Sequence, residues 1–575
     1  SYVNRPLKQW VDHDRTPLVD ATSNDHGLDP FLVVNGDGRG SGLDGSRSAP
    51  TPSNHIAISI QPKWGGGGPL VLLTRSGAGG CSQRTPSRSV RPSPICLLIG
   101  GTTLIRLAFA ATTGLGIDES YMVTAGRTLS LGYFDHPPIS WWLSWGAAHL
   151  FGTEAPWILR LPFILLFALS QVLMWRIASL TAYQRGAFWS VVGLNLSPVF
   201  GVTTASWILP DGPLDAALLG AALCFLHALP ATGRRALGWW AATGLCAGMA
   251  LLSKYSAALT VAGALLYLLT SRQHRYWLRQ SGPYVAVLLA LAVFSPALIW
   301  NASHGWVSFA FQGDRAKGLG FHPRLPIQTL AGEALFILPW IWVPMMILLV
   351  RGFRPGAFWT ERLLVWLAAP PVVMFALIAV WSSQRILYHW AAPGYLMLFP
   401  LLGAAIAGHV GRTWVRGLLA GTAALVLISV TVIATQIETD WLGGSLAAVM
   451  RKDPTAEGVD WISLRDDLMG RGLLPPGTLV GVFDWQNAGK IGYALGPGVT
   501  MLCLSDDSRQ FGFAHPTRDF AGQDVLLLVP DPAERAAAQA GRWFRTTEPL
   551  AGTSVRLDGR VLRTVTVWRG HGLLP

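Results

Sequence analysis

Two adjacent acids, Asp118 and Glu119, directly follow a long apolar run, and Asp135-His136 stands in the same loop ahead of Pro137-Pro138. A carboxylate at a partly desolvated membrane rim is suited to take a proton from a hydroxyl; an ordinary solvated span end is the other reading. The two prolines fix the backbone, so the acid and imidazole before them point in a defined direction. His136 suits a phosphate when protonated, or joins Asp135 on a divalent metal; a simple surface turn is the lesser alternative.

Asp211 and Asp215 open another apolar run after Trp207-Ile208-Leu209-Pro210. Asp211 reads as an N-cap. Asp215 lies a helical turn deeper, where an unpaired charge is costly, so a polar cavity is expected there. Lys254-Tyr255 closes a further run. Its ammonium either snorkels to the interface or binds a phosphate, a contact worth roughly 4 kcal/mol at 4 Å and an effective dielectric near 20. Asn301 to Trp306, with His304, and Arg385 to Pro393, with Tyr388 and His389, mix donors with aromatics. Aromatic rings suit the apolar faces of sugars and arginine suits phosphate oxygens; interfacial anchoring accounts for Trp306 and Trp390 as well.

These residues must be positioned by membrane-spanning elements. Of 575 residues 51% are hydrophobic and only 13% charged, against about 25% charged in soluble domains, and the mean hydropathy is +0.38. Runs able to cross a hydrocarbon core of about 30 Å occur near 94–114, 157–178, 186–205, 211–230, 236–253, 256–271, 283–300, 327–350, 363–381, 391–409 and 415–437. About eleven transmembrane helices are therefore expected, with many of the 26 tryptophans near run ends as an interfacial belt requires.

Alternate loops differ in basic residues. One set holds Arg176, Arg185, Arg234, Arg235, Arg272, Arg275, Arg279, Arg351, Arg354, Arg362, Arg412 and Arg416; the other holds Arg127, Lys254, Arg315, Lys317, Arg324 and Arg385. The first set is expected in the cytoplasm. Asp118, Glu119, Asp135, His136, Asp211, Lys254, Asn301, His304, Arg385 and His389 then all fall on the outer face, which points to a shared cavity. The net charge of +12 comes from such loops and the N-terminal region, and nucleic acid is not an expected partner. Five cysteines show no paired spacing.

Residues 1–92, rich in Gly, Ser, Pro and Arg, are expected to be a disordered or non-native tail. Residues 93–438 form the multi-span catalytic domain. Residues 439–575 are less apolar and hold strand-like runs at Thr478–Phe483 and Val525–Val529, so a small extracytoplasmic soluble α/β domain is expected. Asp484 to Lys490 resembles a strand-to-helix turn without a phosphate-loop pattern.

The order span, Asp118-Glu119, Gly132-Tyr-Phe-Asp-His-Pro-Pro138, span, together with Leu209-Pro-Asp-Gly-Pro-Leu214, Ser253-Lys-Tyr255, Trp300-Asn-Ala-Ser-His-Gly-Trp306 and His389-Trp-Ala-Ala-Pro-Gly-Tyr-Leu396, resembles bacterial glycosyltransferase family 39. That family lies in the glycosyltransferase C superfamily, related to the protein O-mannosyltransferases and the lipid A aminoarabinose transferase. The resemblance covers about residues 95–440 and is weaker in the C-terminal region.

It implies the glycosyltransferase C fold and an inverting transfer of sugar from a polyprenyl-phosphate carrier to an envelope lipid, polysaccharide or protein. The site would face the outside of a bacterial inner membrane. Asp118 matches the catalytic first-loop acid, Glu119 its partner, and Asp211 the second important acid. Asp135 matches an acid implicated in metal binding in the aminoarabinose branch, and His136 stands where that branch has a phosphate-binding lysine; a divalent metal is the one cofactor implied. Lys254 and Arg385 are candidate phosphate contacts, joined by His136, His304, Tyr388 and His389 around the substrate. The competing class is a transporter or flippase for a lipid-linked or small polar solute, disfavoured because the charges gather at one rim rather than mid-membrane.

Overall fold

Every one of the eleven apolar runs is helical where the structure describes it. The computed structural model describes residues 93–181, 186–314, 317–318, 320–382, 386–443, 455–530, 536–557 and 559–575. The expectation for residues 1–92 therefore lies outside the described residues, as does that for Arg385.

The helices run in chain order as α1 (Pro94–Thr112), α2 (Ile117–Gly126), α3 (Ile139–Phe151), α4 (Pro156–Leu180), α5 (Ala187–Leu196), α6 (Asp211–Ala228), α7 (Gly233–Ser253), α8 (Ala257–Thr270), α9 (Ser281–Ser303), α10 (Val307–Asp314), α11 (Leu325–Ile337), α12 (Pro339–Gly352), α13 (Trp359–Ile378), α14 (Ala392–Leu396), α15 (Phe399–His409) and α16 (Thr413–Thr439). Among the described residues α1, α4, α7, α9, α13 and α16 are long and apolar enough to cross a membrane. The pair α11–α12 makes a seventh if its 117° bend is one broken span. The break falls at Leu338, which precedes Pro339 and has φ 86°; a residue before proline is disfavoured in the helical region. The shorter helices α5, α8 and α15 are apolar too. The protein is thus a multi-pass membrane protein, with six or seven helices of that length and apolarity among the described residues.

Two elements differ from the expected first loop. Residues 117–126 form a helix, and 139–151 a second one, so the acids open a short helix instead of lying in irregular chain. Gly116 N donates to Glu119 Oε2 at 2.9 Å, which satisfies a backbone donor that the start of a helix otherwise leaves open. All residues of α2 from Glu119 to Gly126 are buried.

Beyond α16 the chain forms α17 (Ile462–Gly470), β1 (Leu479–Val482), α18 (Trp485–Leu495), β2 (Thr500–Cys503), α19 (Phe511–Ala514), β3 (Val525–Pro530), α20 (Ala536–Trp543), β4 (Phe544–Leu557) and β5 (Arg560–Leu573). The sheet order is β2-β1-β3-β5-β4, parallel across its first three strands and antiparallel beyond. Both strand-like runs of the sequence are strands; the β4–β5 hairpin was not anticipated.

This α/β unit does not stand apart. Tyr121, Val123, Tyr133 and Trp141 of the α2–α3 region share one buried apolar cluster with Val480, Ala488, Ile491, Met501 and Leu526. Helix α18 lies against α2: Thr124 Oγ1 donates to Gly489 O and Arg127 Nη1 to Gly492 O, each at 2.9 Å. A Cβ on Gly489 would stand 2.6 Å from Tyr121 Cα, so only glycine permits this approach. Gly489→Val should cost about 1–3 kcal/mol by overpacking and lower the thermal unfolding temperature of the purified protein. An unchanged temperature would mean that α18 does not pack on α2 in this way.

Candidate active site

Asp118 lies exposed on the first turn of α2, where the helix dipole favours a carboxylate. Its neighbour Glu119 is the opposite case, only 3% exposed. Arg160, from α4 and 2% exposed, donates Nε to Glu119 Oε1 at 2.8 Å and Nη2 to Oε2 at 2.6 Å. Gly116 N and Ile208 N supply the other two donors, at 2.9 and 3.0 Å. Four donors fill the acceptor positions of one carboxylate. Burial alone would raise this carboxyl, but the Arg160 charge and these hydrogen bonds hold it below the usual range.

The remaining Arg160 donors bind the turn ahead of α2, with Nη1 on Thr113 O and Oγ1 and Nη2 on Gly114 O. Through Ile208 the same carboxylate reaches the Trp207–Pro210 turn that leads into α6. Glu119 therefore ties the segment presenting Asp118 to the segment presenting Asp211.

Asp211 is not an N-cap: it begins α6 without a side-chain cap and accepts Lys254 Nζ on both oxygens, at 2.9 and 3.1 Å. Lys254, 9% exposed, does not snorkel. His389 and His136 also act electrostatically on Asp211, so residues from four separate segments converge there. Asp215, 3% exposed, lies one turn below with an Oδ2 that has no hydrogen-bond partner. Asp211 and Asp215 against Lys254 leave the buried group short of positive charge until protons or a cation balance it.

Asp135 is buried and organised differently. Tyr121 Oη donates to Oδ1 at 3.3 Å and Arg509 Nη1 to Oδ2 at 3.4 Å. Gln312 Nε2 holds its backbone oxygen at 2.6 Å. The Arg509 guanidinium in turn lies 3.8 Å from the Trp485 ring centroid, a cation–π contact. Gln510 completes the grip, its side chain accepting Phe134 N at 2.9 Å and its own N–H donating to Tyr121 Oη at 3.1 Å. A carboxylate already facing a guanidinium is a poor cation ligand. Among the described residues no group of three or more His, Cys, Asp or Glu is placed to hold a metal ion.

The segments around Tyr133, Tyr255, Asn301 and Ser308 are cross-linked by hydrogen bonds. Ser308 Oγ donates to Tyr133 O at 2.9 Å, Ser308 N to Asn301 Oδ1 at 3.2 Å, and Asn301 Nδ2 to Tyr255 Oη at 3.3 Å. His304 is exposed and stacks on Trp300 with ring centroids 4.2 Å apart. Tyr388 and His389 are half-buried. Sequence reasoning missed Arg160, Tyr121, Arg509 and Gln510. Only Arg160 carried a signal, as a lone charge inside an apolar run.

Residues 135–300 match the family described as dolichyl-phosphate-mannose-protein mannosyltransferase. The lipid A galacturonosyltransferase RgtD of Rhizobium johnstonii is 26% identical over 310 residues, 52% of this chain and 63% of that protein. The chain thus spans less than two thirds of that relative's length. The crystal structure of ArnT from Cupriavidus metallidurans in the apo state superposes with a TM-score of 0.59 at 16% identity, covering 82% of this chain and 97% of that one. The same ArnT bound to undecaprenyl phosphate gives 0.57 at 16% identity with the same coverage.

Over residues 135–300 the chain is similar to that mannosyltransferase family, and its fold is that of ArnT. In this chain the Gly132–Pro138 segment is held from the C-terminal side by Arg509 and Gln510.

Removing Arg160 would strand a buried carboxylate. Arg160→Met should destabilise the protein by about 3–5 kcal/mol. Because the folded carboxyl titrates below its unfolded value near 4.3, its stabilising contribution is present above that value. It is lost as pH falls through the folded value. Acid unfolding followed by tryptophan fluorescence checks this: Glu119→Gln should unfold with a shallower pH dependence than the parent chain.

Proposed function

We propose that this protein is an inverting glycosyltransferase that moves a sugar from a polyprenyl-phosphate carrier to an envelope acceptor on the extracytoplasmic face of a bacterial inner membrane. The observation that carries the reading is the convergence of Lys254, His136 and His389 on Asp211, held to the Asp118 turn by Glu119. The match of residues 135–300 to the mannosyltransferase family, the similarity to a lipid A galacturonosyltransferase and the undecaprenyl phosphate bound by the ArnT neighbour support it.

In this reading Asp118, exposed and on a rigid helix start, is the general base that accepts the proton of the acceptor hydroxyl or amine. The acceptor oxygen or nitrogen attacks the anomeric carbon as the bond to the carrier phosphate breaks, and attack from the opposite face inverts that carbon. The phosphate takes the electron pair. Lys254, His136 and His389, joined by Tyr388, His304 and, on sequence grounds alone, Arg385, stabilise it as it leaves. The incoming phosphate takes over Lys254 from Asp211, which requires Asp211 to take up a proton or turn to another donor. Glu119 acts by position, since its oxygens are committed to Arg160 and two backbone amides. Asp135 orders the Phe134–Pro138 turn. Eleven helical segments cross or enter the bilayer, residues 93–438 carry catalysis, and residues 439–575 face the exterior.

Asp118→Asn keeps the shape of the side chain and removes the base, so kcat for transfer should fall at least about 10²-fold with the protein still folded in detergent. Full retained activity would remove Asp118 from the mechanism. Lys254→Met should raise the dissociation constant for polyprenyl phosphate, measured by native mass spectrometry, by about tenfold or more; unchanged binding would place the phosphate elsewhere.

A further inference from the structure

The strand-to-helix turn from Asp484 to Lys490 has no part in the chemistry above, yet it reaches the catalytic segment. Asp484 caps α18, accepting Asn487 N at 2.8 Å. That fixes the helix so that Lys490, on its second turn, points away from the sheet. Lys490 is 3% exposed. Its ammonium donates to Leu115 O, three residues before Asp118, and to Glu457 O at 2.7 Å.

We infer that Lys490 is a positioning residue for Asp118, and that through it the C-terminal α/β unit is part of the catalytic apparatus. The inference rests on the role given to Asp118 above.

Three observations make the contact more than generic packing. First, it completes a set: the carbonyls of Thr113 and Gly114 go to Arg160, that of Leu115 to Lys490, and the amide of Gly116 to Glu119. Every residue between the end of α1 and the start of α2 is thus held by a charged side chain, and those bonds are about twice as strong as neutral ones. Second, the segment around Gly458 closes on the same turn, where a Cβ on Gly114 would meet Gly458 O at 2.7 Å. Third, a buried lysine whose bonds go to two carbonyls is a costly way to fill space. Burial brings its amine down to about 8, with Asp460, Glu119 and Glu457 opposing the fall and Arg160 adding to it. It is therefore still mostly protonated at neutral pH.

The consequence is directional. Asp118 sits on the first turn of α2, so a shift of the Leu115 carbonyl moves the base relative to any acceptor. A misplacement near 1 Å costs up to about 10²-fold in rate. Donor phosphate contacts at Lys254 and His136 come from other segments and need not change.

The test uses the full chain in detergent or nanodiscs with a polyprenyl-phosphate sugar as donor. Lys490→Gln should lower kcat by roughly 10–100-fold with the donor KM within about twofold, and should speed amide hydrogen exchange at residues 113–121 while α7 and α13 keep their protection. Lys490→Arg, which keeps the charge and donors, should recover most of kcat; it also serves if the glutamine variant fails to fold. Unchanged kcat in a folded Lys490→Gln, or a loss of thermal stability with kcat and KM both intact, would overturn the inference. If the parent chain transfers no sugar at all, the transferase reading is what fails; unaltered exchange at 113–121 would then separately refute the contact.

Discussion

The Glu119–Arg160 pair is the interaction on which the candidate site of this protein depends. It joins α2 to α4 directly, and through backbone groups it takes in the turn before α2 and the turn before α6. The strength of a buried ion pair is not the point, since desolvation offsets much of its attraction. Its geometry is what matters: a planar guanidinium and a planar carboxylate with all positions filled admit one arrangement. Two acids far apart in sequence, Asp118 and Asp211, thereby lie on segments tied to one another.

Neighbouring residues of the same type consequently play opposite parts. Asp118 is exposed, whereas Glu119 is buried with all its acceptor positions filled. Asp211 and Asp135 are both buried and both meet cations, but Asp211 meets a lysine together with two histidines, and Asp135 meets an arginine braced on Trp485. The first arrangement can exchange partners with a phosphate; the second reads as a latch between the Gly132–Pro138 segment and the C-terminal unit. A lone arginine in the first span, Arg106, belongs to the structural group, bound to Asn195 Oδ1 and Gly201 O in the broken region between α5 and α6.

Much of this was legible in the sequence because hydropathy and punctuation are local. The apolar runs became helices, the strand-like runs β1 and β3 became strands, and the acids were correctly placed after the first span. Local rules also misled: the length of an apolar run overstated how many helices are long enough to cross, and Asp211 ahead of a run looked like a cap. Pairings such as Lys254 with Asp211 or Glu119 with Arg160 join residues about forty positions apart on different helices, and no spacing rule encodes that. Arg509 and Gln510 lie in a loop whose meaning comes only from the docking of the C-terminal unit. The shared cluster of Tyr121, Trp141, Ile491 and Leu526 shows why the boundary near residue 438, clear in hydropathy, is not a boundary in packing.

The central claim is that the outer-face site takes its sugar from a lipid-linked phosphate. Its most direct test is turnover in proteoliposomes supplied with a defined polyprenyl-phosphate sugar and, separately, the matching sugar nucleotide, using an envelope lipid extract as acceptor. The account predicts release of free polyprenyl phosphate in step with a glycosylated product whose anomeric configuration is inverted, and no product from the nucleotide. Product formed from the sugar nucleotide, or movement of the labelled donor across the bilayer without transfer, would contradict it.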